Sequence, residues 1–235
     1  MGIKNINMII ITGVSKGIGK FLFETFSKFE EEVIGVYNTT IPEYNNLQNL
    51  YKVDISNYKE VENFYSSIEN NISNIKLINA AGTNYSAYAH KSDIDQWKKV
   101  IEVNLFGTFH MTKYFLNKMR LENYGRIINF SSVVAQKGIP GTSAYAASKS
   151  ALWGMSKSVA EENASKGITI NTLNLGYFNI GMINEVSTEV QNIIKKQIPV
   201  GNEFGDPINI YNAVKFIFDS PYLTGTSINI NGGLF

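Results

Sequence analysis

Short apolar runs alternate with longer stretches of helical periodicity along most of this 235-residue chain. The runs fall at Met8–Thr12, Val33–Tyr37, Leu50–Val53, Leu77–Asn79, Arg126–Phe130, Thr169–Leu173 and Ser227–Ile230. Helical patterns lie between them, at about 17–29, 57–69, 93–101, 105–119, 144–163, 186–197 and 208–219. Strands that alternate with helices in this way predict βαβ units and a parallel sheet. The expected fold class is α/β, a doubly wound parallel sheet of about seven strands flanked by helices.

Local signals mark some boundaries. Ser56, with Glu60 in the first turn after it, reads as a helix start that places an acid near the positive end of the dipole. Gly125 and Gly167, each just before a strand, read as helix C-terminal breakers. The connection from Asn38 to Leu50 holds Pro42 and the Asn-rich stretch Tyr44–Asn49, which leaves little room for a full helix, so this crossover is expected to be irregular. With no internal repeat, Pro/Ser linker or charge block, one domain over 1–235 is the simplest organisation.

Composition narrows the chemistry. Hydrophobic residues make up 44% of the chain and charged residues 17%, with 21 Lys+Arg against 20 Asp+Glu, a net charge of +1. That balance points away from disorder and from a polyanion-binding surface, so no nucleic-acid partner is expected. The absence of cysteine removes disulfides, zinc-thiolate sites, iron–sulfur ligation and thiol catalysis together. Met8–Ile11 is too short for a signal-peptide core or for a membrane span of ~20 apolar residues. Met1-Gly2 lacks the Ser or Thr of a myristoylation start, because the sixth residue is Ile6. A cytoplasmic protein without membrane contact is the expectation, its chemistry resting on hydroxyls, amines, carboxylates or a bound cofactor.

The first strand runs into Thr12-Gly13-Val14-Ser15-Lys16-Gly17-Ile18-Gly19, followed by a helical pattern. Gly13 permits a tight turn, while Gly17 and Gly19 let the backbone approach a pyrophosphate and pack the helix on the strand. The helix N-terminus then offers unpaired N–H groups to phosphate. Many surface turns are Gly-rich, so it is the position between a first strand and a first helix that gives this cluster meaning. The second strand ends at Asn38, where an acid would bind the ribose 2′-hydroxyl of NAD. Lys16 could supply a positive charge for the 2′-phosphate of NADP, so NADP(H) is expected over NAD(H); a solvated lysine is the alternative reading.

Tyr145 and Lys149 are spaced i, i+4 in an apparent helix, so phenol and ammonium share a face. A tyrosine of pKa ~10 needs a shift of ~3 units, about 4 kcal/mol, to titrate near neutrality, and a fixed cation can supply much of it. Alone, Y-x-x-x-K is more often a helix-surface pair. Here, however, a strand ending in Ser131-Ser132 lies thirteen residues upstream, and hydroxyls at a strand's C-terminal end face the crevice where open α/β sheets bind ligands.

These motifs together resemble the short-chain dehydrogenase/reductases, and within them the β-ketoacyl-acyl-carrier-protein reductases. The resemblance extends through Asp54-Ile55, Asn79-Ala80-Ala81-Gly82, Val103-Asn104-Leu105, Gly167–Asn171, Tyr222–Gly225 and Asn231-Gly232-Gly233. It implies a Rossmann-like fold in which Tyr145 gives a proton to a ketone oxygen, Ser132 hydrogen-bonds that oxygen, Lys149 lowers the tyrosine pKa and holds the nicotinamide ribose, and Asn104 anchors a water. It further implies a cofactor cleft formed by Gly13, Ser15, Lys16, Gly17, Ile18, Gly19, Asn38, Asp54, Ile55, Asn79, Ala80, Gly82 and Gly176, with no metal in the chemistry. His90 and His110 match no catalytic position. A homotetramer built on the helices at 105–119 and 144–163 is implied too, with Phe109, Leu152, Trp153 and Met155 as candidate interface residues; core packing is their alternative reading.

Some positions depart from that pattern. Leu175 stands where the family has proline, and Ile180 where a threonine would contact the nicotinamide carboxamide, a difference worth about 0.5–1.5 kcal/mol of hydrogen bonding. Lys166 matches one basic position beside the active-site mouth that receives an acidic carrier protein, but Asn123 replaces the second. Tyr177 and Phe178 could accept either a ring or an acyl chain. The expected function is therefore reduction of a ketone with NADPH, the substrate being a small carbonyl compound such as a 3-oxoacyl thioester. A keto-sugar reductase and a non-catalytic NADP-binding regulator are the alternatives.

Overall fold

Two eight-residue strands, β5 (Gly125–Ser132) and β6 (Ile168–Leu175), are buried along their whole length and run side by side in register, Gly125 opposite Ile168 and Ser132 opposite Leu175. They belong to a sheet seen in the computed structural model, which describes residues 7–29, 32–43 and 49–235. Its other strands are β1 (Asn7–Thr12), β2 (Glu32–Tyr37), β3 (Leu50–Lys52), β4 (Ser73–Asn79) and β7 (Ser227–Ile230). The order is β3-β2-β1-β4-β5-β6-β7 and every pairing is parallel. This is the doubly wound α/β sheet expected, with strand order reversing between β1 and β4.

The helices are α1 (Gly17–Ser27), α2 (Tyr58–Ile68), α3 (Ile94–Ile101), α4 (Thr108–Glu122), α5 (Val133–Lys137), α6 (Ser143–Asn163), α7 (Thr188–Lys195) and α8 (Ile208–Phe218). One core lies on the α2, α4 and α6 face, where Val61, Phe64, Met111, Phe115 and Val159 meet Ile10 and Ile127. The other lies under α1 and α8, where Leu22, Phe26, Ile210 and Val214 meet Ile9 and Ile128. Burial on both faces explains why β1 reads as the unbroken run Met8-Ile9-Ile10-Ile11.

Several boundaries differ from the sequence reading. Asn57, not Ser56, caps α2, accepting from the N–H groups of Lys59 and Glu60, while the Ser56 hydroxyl donates to Asp54. α4 is closed by Asn123 in the left-handed region, φ 52°; Gly125 already belongs to β5, packed against Met119. Gly167, φ 69°, does act as a breaker. β4 starts at Ser73, earlier than its apolar run, because Ser73, Asn74 and Lys76 hide the strand among polar residues. Leu152 is buried within its own fold and so offers nothing to a neighbouring subunit, whereas Phe109 is 45% exposed. Met1–Ile6 and, in the connection between β2 and β3, residues 44–48 lie outside the described residues.

Candidate active site

Everything expected to do chemistry gathers at the C-terminal end of the sheet, around the point where strand order reverses. β1 ends at Thr12, whose buried hydroxyl accepts from the N–H groups of Ala80 and Ala81 (3.1 and 3.0 Å) and ties the loop after β4 to the glycine turn. Gly13 has φ 77°, and a Cβ there would stand 2.7 Å from the Ala81 Cα, so no other residue fits this crossing. Ser15 Oγ donates to the Thr40 carbonyl (2.7 Å), joining the glycine turn to the chain after β2. No side chain caps the start of α1, so its first N–H groups face the crevice.

A cavity of about 850 Å³ runs from Asn38 and Asp54, past the glycine turn, to Ser132, Tyr145 and Lys149. Every residue expected to contact a cofactor lines it except Asn79. Asn79 is buried beneath, its Nδ2 donating to Asn129 Oδ1 (2.8 Å) on β5; Asn129 in turn donates to Ser156 on α6 (3.0 Å). It therefore belongs to a polar row that ties strands to helices below the cleft. At one end of the cavity the Asp54 carboxyl is held below the usual carboxylate range: burial raises it, but hydrogen bonds from the Ser56 N–H and hydroxyl, the Lys99 charge and the Asn38 amide outweigh burial. Lys16 lines the cavity, yet its ammonium meets Glu185 at 2.7 Å.

Ser132 is the last residue of β5. Its Oγ accepts from the Val134 N–H (3.2 Å), and the hydroxyl hydrogen-bonds the phenol of Tyr145, in the first turn of α6. One turn on, Lys149 places Nζ 5.8 Å from the Tyr145 ring centre and donates to the Phe130 carbonyl (2.7 Å). Burial pushes Tyr145 up to about 12, against the pull of the Ser132 hydrogen bond and with a smaller push from Tyr177. Burial also brings Lys149 down to about 8. Removal from water dominates the Tyr145 acidity, and the Lys149 ammonium is directed at the Phe130 carbonyl. Tyr145 stays protonated at neutral pH, the form a proton donor requires.

Asn104 sits in a π-helical turn, Glu102–Gly107, between α3 and α4. Its Oδ1 accepts from the Thr83 N–H (2.8 Å), and its Nδ2 donates to the Thr83 carbonyl (2.9 Å) and to Ser148 Oγ (3.0 Å). Both amide hydrogens are engaged, so the side chain holds the loop after β4 against α6 and is not on the cavity wall. Gly82 makes room for this: a Cβ there would lie 3.3 Å from Asn104 Oδ1 and 3.5 Å from Lys149 Nζ. Sequence reasoning missed Thr12, Thr83 and Ser148 as the partners that hold the site. Ser148 lies inside the Tyr145–Lys149 stretch and Thr12 heads the glycine turn, so both residues were in view, but their partners are 44 and 68 residues away.

Lys166 and Asn123 do not line this cavity. Each stands two residues before a strand, Lys166 before β6 and Asn123 before β5, and Ser132 is at the far end of β5, about 23 Å from Gly125 at ~3.3 Å per residue. Ile180 does line the cavity, presenting hydrocarbon where a hydroxyl was expected. His110 donates from Nδ1 to the Ile55 carbonyl (2.9 Å), and His90 stacks on Tyr88. Among the described residues no cluster of His, Asp or Glu could hold a metal, and no helix is long and apolar enough to cross a membrane. A dinucleotide fits the cleft: uncapped N–H groups stand at its middle, hydrogen-bonding side chains at the Asp54 end, and Lys149 with two hydroxyls at the other.

The sequence model of the short chain dehydrogenase family matches residues 7–191. The acetoacetyl-CoA reductase of Shinella zoogloeoides is 38% identical over 190 residues, covering 79% of this chain and 78% of its own. The acetoacetyl-CoA reductase of Rhizobium meliloti is 34% identical over 96% of this chain and 97% of its own. The 3-oxoacyl-acyl-carrier-protein reductase of Vibrio cholerae is 31% identical over 96% of each.

Proposed function

Because this chain belongs to the short-chain dehydrogenase family and is an oxidoreductase, we propose that it reduces the ketone of a 3-oxoacyl thioester to a secondary alcohol with NADPH. The observation that carries this reading is the meeting of the Ser132 hydroxyl with a protonated Tyr145 phenol at the end of the cavity that Lys149 also lines. The nicotinamide, when bound, supplies a hydride to the carbonyl carbon. The protein's part is to position the ketone and manage the proton. Ser132 donates a hydrogen bond to the carbonyl oxygen and stabilises the charge that develops there. Tyr145 transfers its proton to the same oxygen, completing the alcohol. Lys149, a buried cation beside the phenol, favours the phenolate left behind.

The α1 N-terminus and the glycine turn would receive the pyrophosphate, Asp54 and Asn38 the adenosine, and Lys149 the nicotinamide ribose. Val186, with Val190 and Ile194 on α7, gives the cavity an apolar wall that favours an acyl chain over a keto-sugar. The same reading takes the enzyme to be cytoplasmic, one domain over 1–235, and a homotetramer built on α4 and α6, where Phe109 of α4 and Phe106 in the π-helical turn before it are exposed.

Purified protein mixed with NADPH and acetoacetyl-CoA is expected to lose absorbance at the reduced-nicotinamide band. Turnover of keto-sugars alone would replace this reading with the first alternative, and tight NADPH binding without turnover of any ketone would replace it with a regulator. Tyr145→Phe is expected to lower turnover 10²- to 10⁴-fold, the usual contribution of a general acid, while NADPH still binds.

A further inference from the structure

β6 and β7 each carry one amide between apolar neighbours, Leu173-Asn174-Leu175 and Ile228-Asn229-Ile230. The apolar neighbours belong to the core under α1 and α8, so the two amides face the other side of the sheet, beneath α6. They stand in one row with Ser131, which is opposite Asn174, as Asn174 is opposite Asn229. Ser131 Oγ donates to the Lys149 carbonyl (2.9 Å), Trp153 Nε1 to Asn174 Oδ1 (2.8 Å), and Asn174 Nδ2 to Asn229 Oδ1 (2.8 Å). The same Asn229 oxygen accepts from Gln136 Nε2 on α5 (2.9 Å).

One side-chain oxygen thus joins the two helices that flank the reacting hydroxyls. α5 starts directly after Ser132, which caps it. On α6, Tyr145, Lys149 and Trp153 follow at i, i+4 and i+8, so the row that fixes Trp153 and the Lys149 backbone also fixes the stripe bearing the phenol. Gln136 is kept here against stability. Its Oε1 is buried and has no hydrogen-bond partner among the described residues, whereas an apolar side chain of the same length would leave nothing unpaired. A local rule broken next to a reacting group points to function, and the end of Gln136 that is satisfied is its donor to Asn229.

We infer that Asn229 is a positioning residue: by accepting from Gln136 and from Asn174 it holds the start of α5, and with it Ser132, at a fixed distance from Tyr145 on α6. This rests on the reductase reading above. The two hydroxyls must meet one ketone oxygen together, so a shift of either helix separates the hydrogen bond that stabilises the developing charge from the proton transfer. Asn229 does not line the cavity, and its effect passes through Gln136 and Trp153.

Gln136→Met removes the donor together with the unpaired oxygen and keeps the length of the side chain. Asn229→Leu removes the shared acceptor, and Asn229→Asp keeps that acceptor for both donors. Steady-state kinetics with acetoacetyl-CoA and NADPH, and the urea midpoint, would be measured for each variant. Gln136→Met and Asn229→Leu are expected to lower kcat about 10-fold with both KM values unchanged, since misplacing a reacting group by ~1 Å can cost ~10²-fold. Gln136→Met should keep the wild-type urea midpoint, and Asn229→Asp should keep the wild-type kcat. Full kcat in Gln136→Met, a loss there that comes with a lowered urea midpoint, or an Asn229→Asp variant as slow as Asn229→Leu overturns the assignment while leaving the reductase reading in place. A wild-type protein that does not reduce acetoacetyl-CoA overturns that reading and this assignment together.

Discussion

Lys16 and Glu185 form an ion pair, 2.7 Å long, that joins the glycine turn after β1 to the 3₁₀ turn Gly181–Glu185 leading toward α7. A second contact lies beside it. Gly17 and Gly181, both with positive φ, approach so closely that a Cβ on Gly17 would stand 3.1 Å from the Gly181 Cα. The cleft's phosphate-facing turn and the segment bearing its apolar wall are thus coupled by one exposed charge pair and one backbone contact.

Glu185 therefore competes with any phosphate for Lys16. The two side chains are 73% and 64% exposed, which places the pair in the class worth about 0.2–1 kcal/mol. Glu185→Gln is expected to tighten NADPH binding roughly 1.5- to 5-fold and to leave NADH unchanged, since NADH has no 2′-phosphate. Fluorescence titration of both nucleotides measures this, and the gain should shrink as salt rises. Equal changes for NADH and NADPH would separate Lys16 from the 2′-phosphate.

Asn104 gives a prediction about scaffolding. Its three hydrogen bonds to Thr83 and Ser148 are made in a buried site, so Asn104→Leu strands the Thr83 N–H and carbonyl without partners. At ~1–3 kcal/mol for a buried unsatisfied group, the variant should lose about 2–4 kcal/mol of stability by urea unfolding. Activity should fall as well, because the Gly82 loop contacts Lys149. Native stability in Asn104→Leu would show that the loop is held by Thr12 alone.

The order of strands and helices was legible in the sequence because apolar runs buried on two faces stand out, and the meeting of Ser132, Tyr145 and Lys149 was legible because they carry their spacing on one strand and one helix. What was hidden depends on partners far along the chain. Asn79 looks like a cleft residue in the motif Asn79–Gly82, yet the register that sets it opposite Asn129 turns it into the sheet. Lys16 has the charge for a phosphate, but its partner lies 169 residues on. Lys166 and Asn123 match a pattern whose meaning depends on which end of a strand they flank, and periodicity carries no information on that. The part that burial plays in the Tyr145 acidity was hidden because spacing reports a neighbouring cation and says nothing of lost water.

Lys149 supplies the last prediction, on stability against pH. Its pKa in the folded protein is about 8, against 10.5 when exposed, because burial penalises the ammonium. Below pH 8 both folded and unfolded chains carry the proton, and the fold bears the full cost of about 3 kcal/mol, taking ~1.4 kcal/mol per unit. Between pH 8 and 10.5 the unfolded chain holds more protons than the native one, so this group's contribution to stability rises with pH. Tyr145, pushed up to about 12, stays neutral through that window. Lys149→Met removes the buried charge at the expense of the bond to the Phe130 carbonyl, so at pH 7 the variant should equal or exceed the wild type in urea midpoint while turnover is lost. The advantage should shrink steadily by pH 10. A stability difference between the two proteins that stays constant from pH 7 to 10 would mean that Lys149 does not titrate in that range.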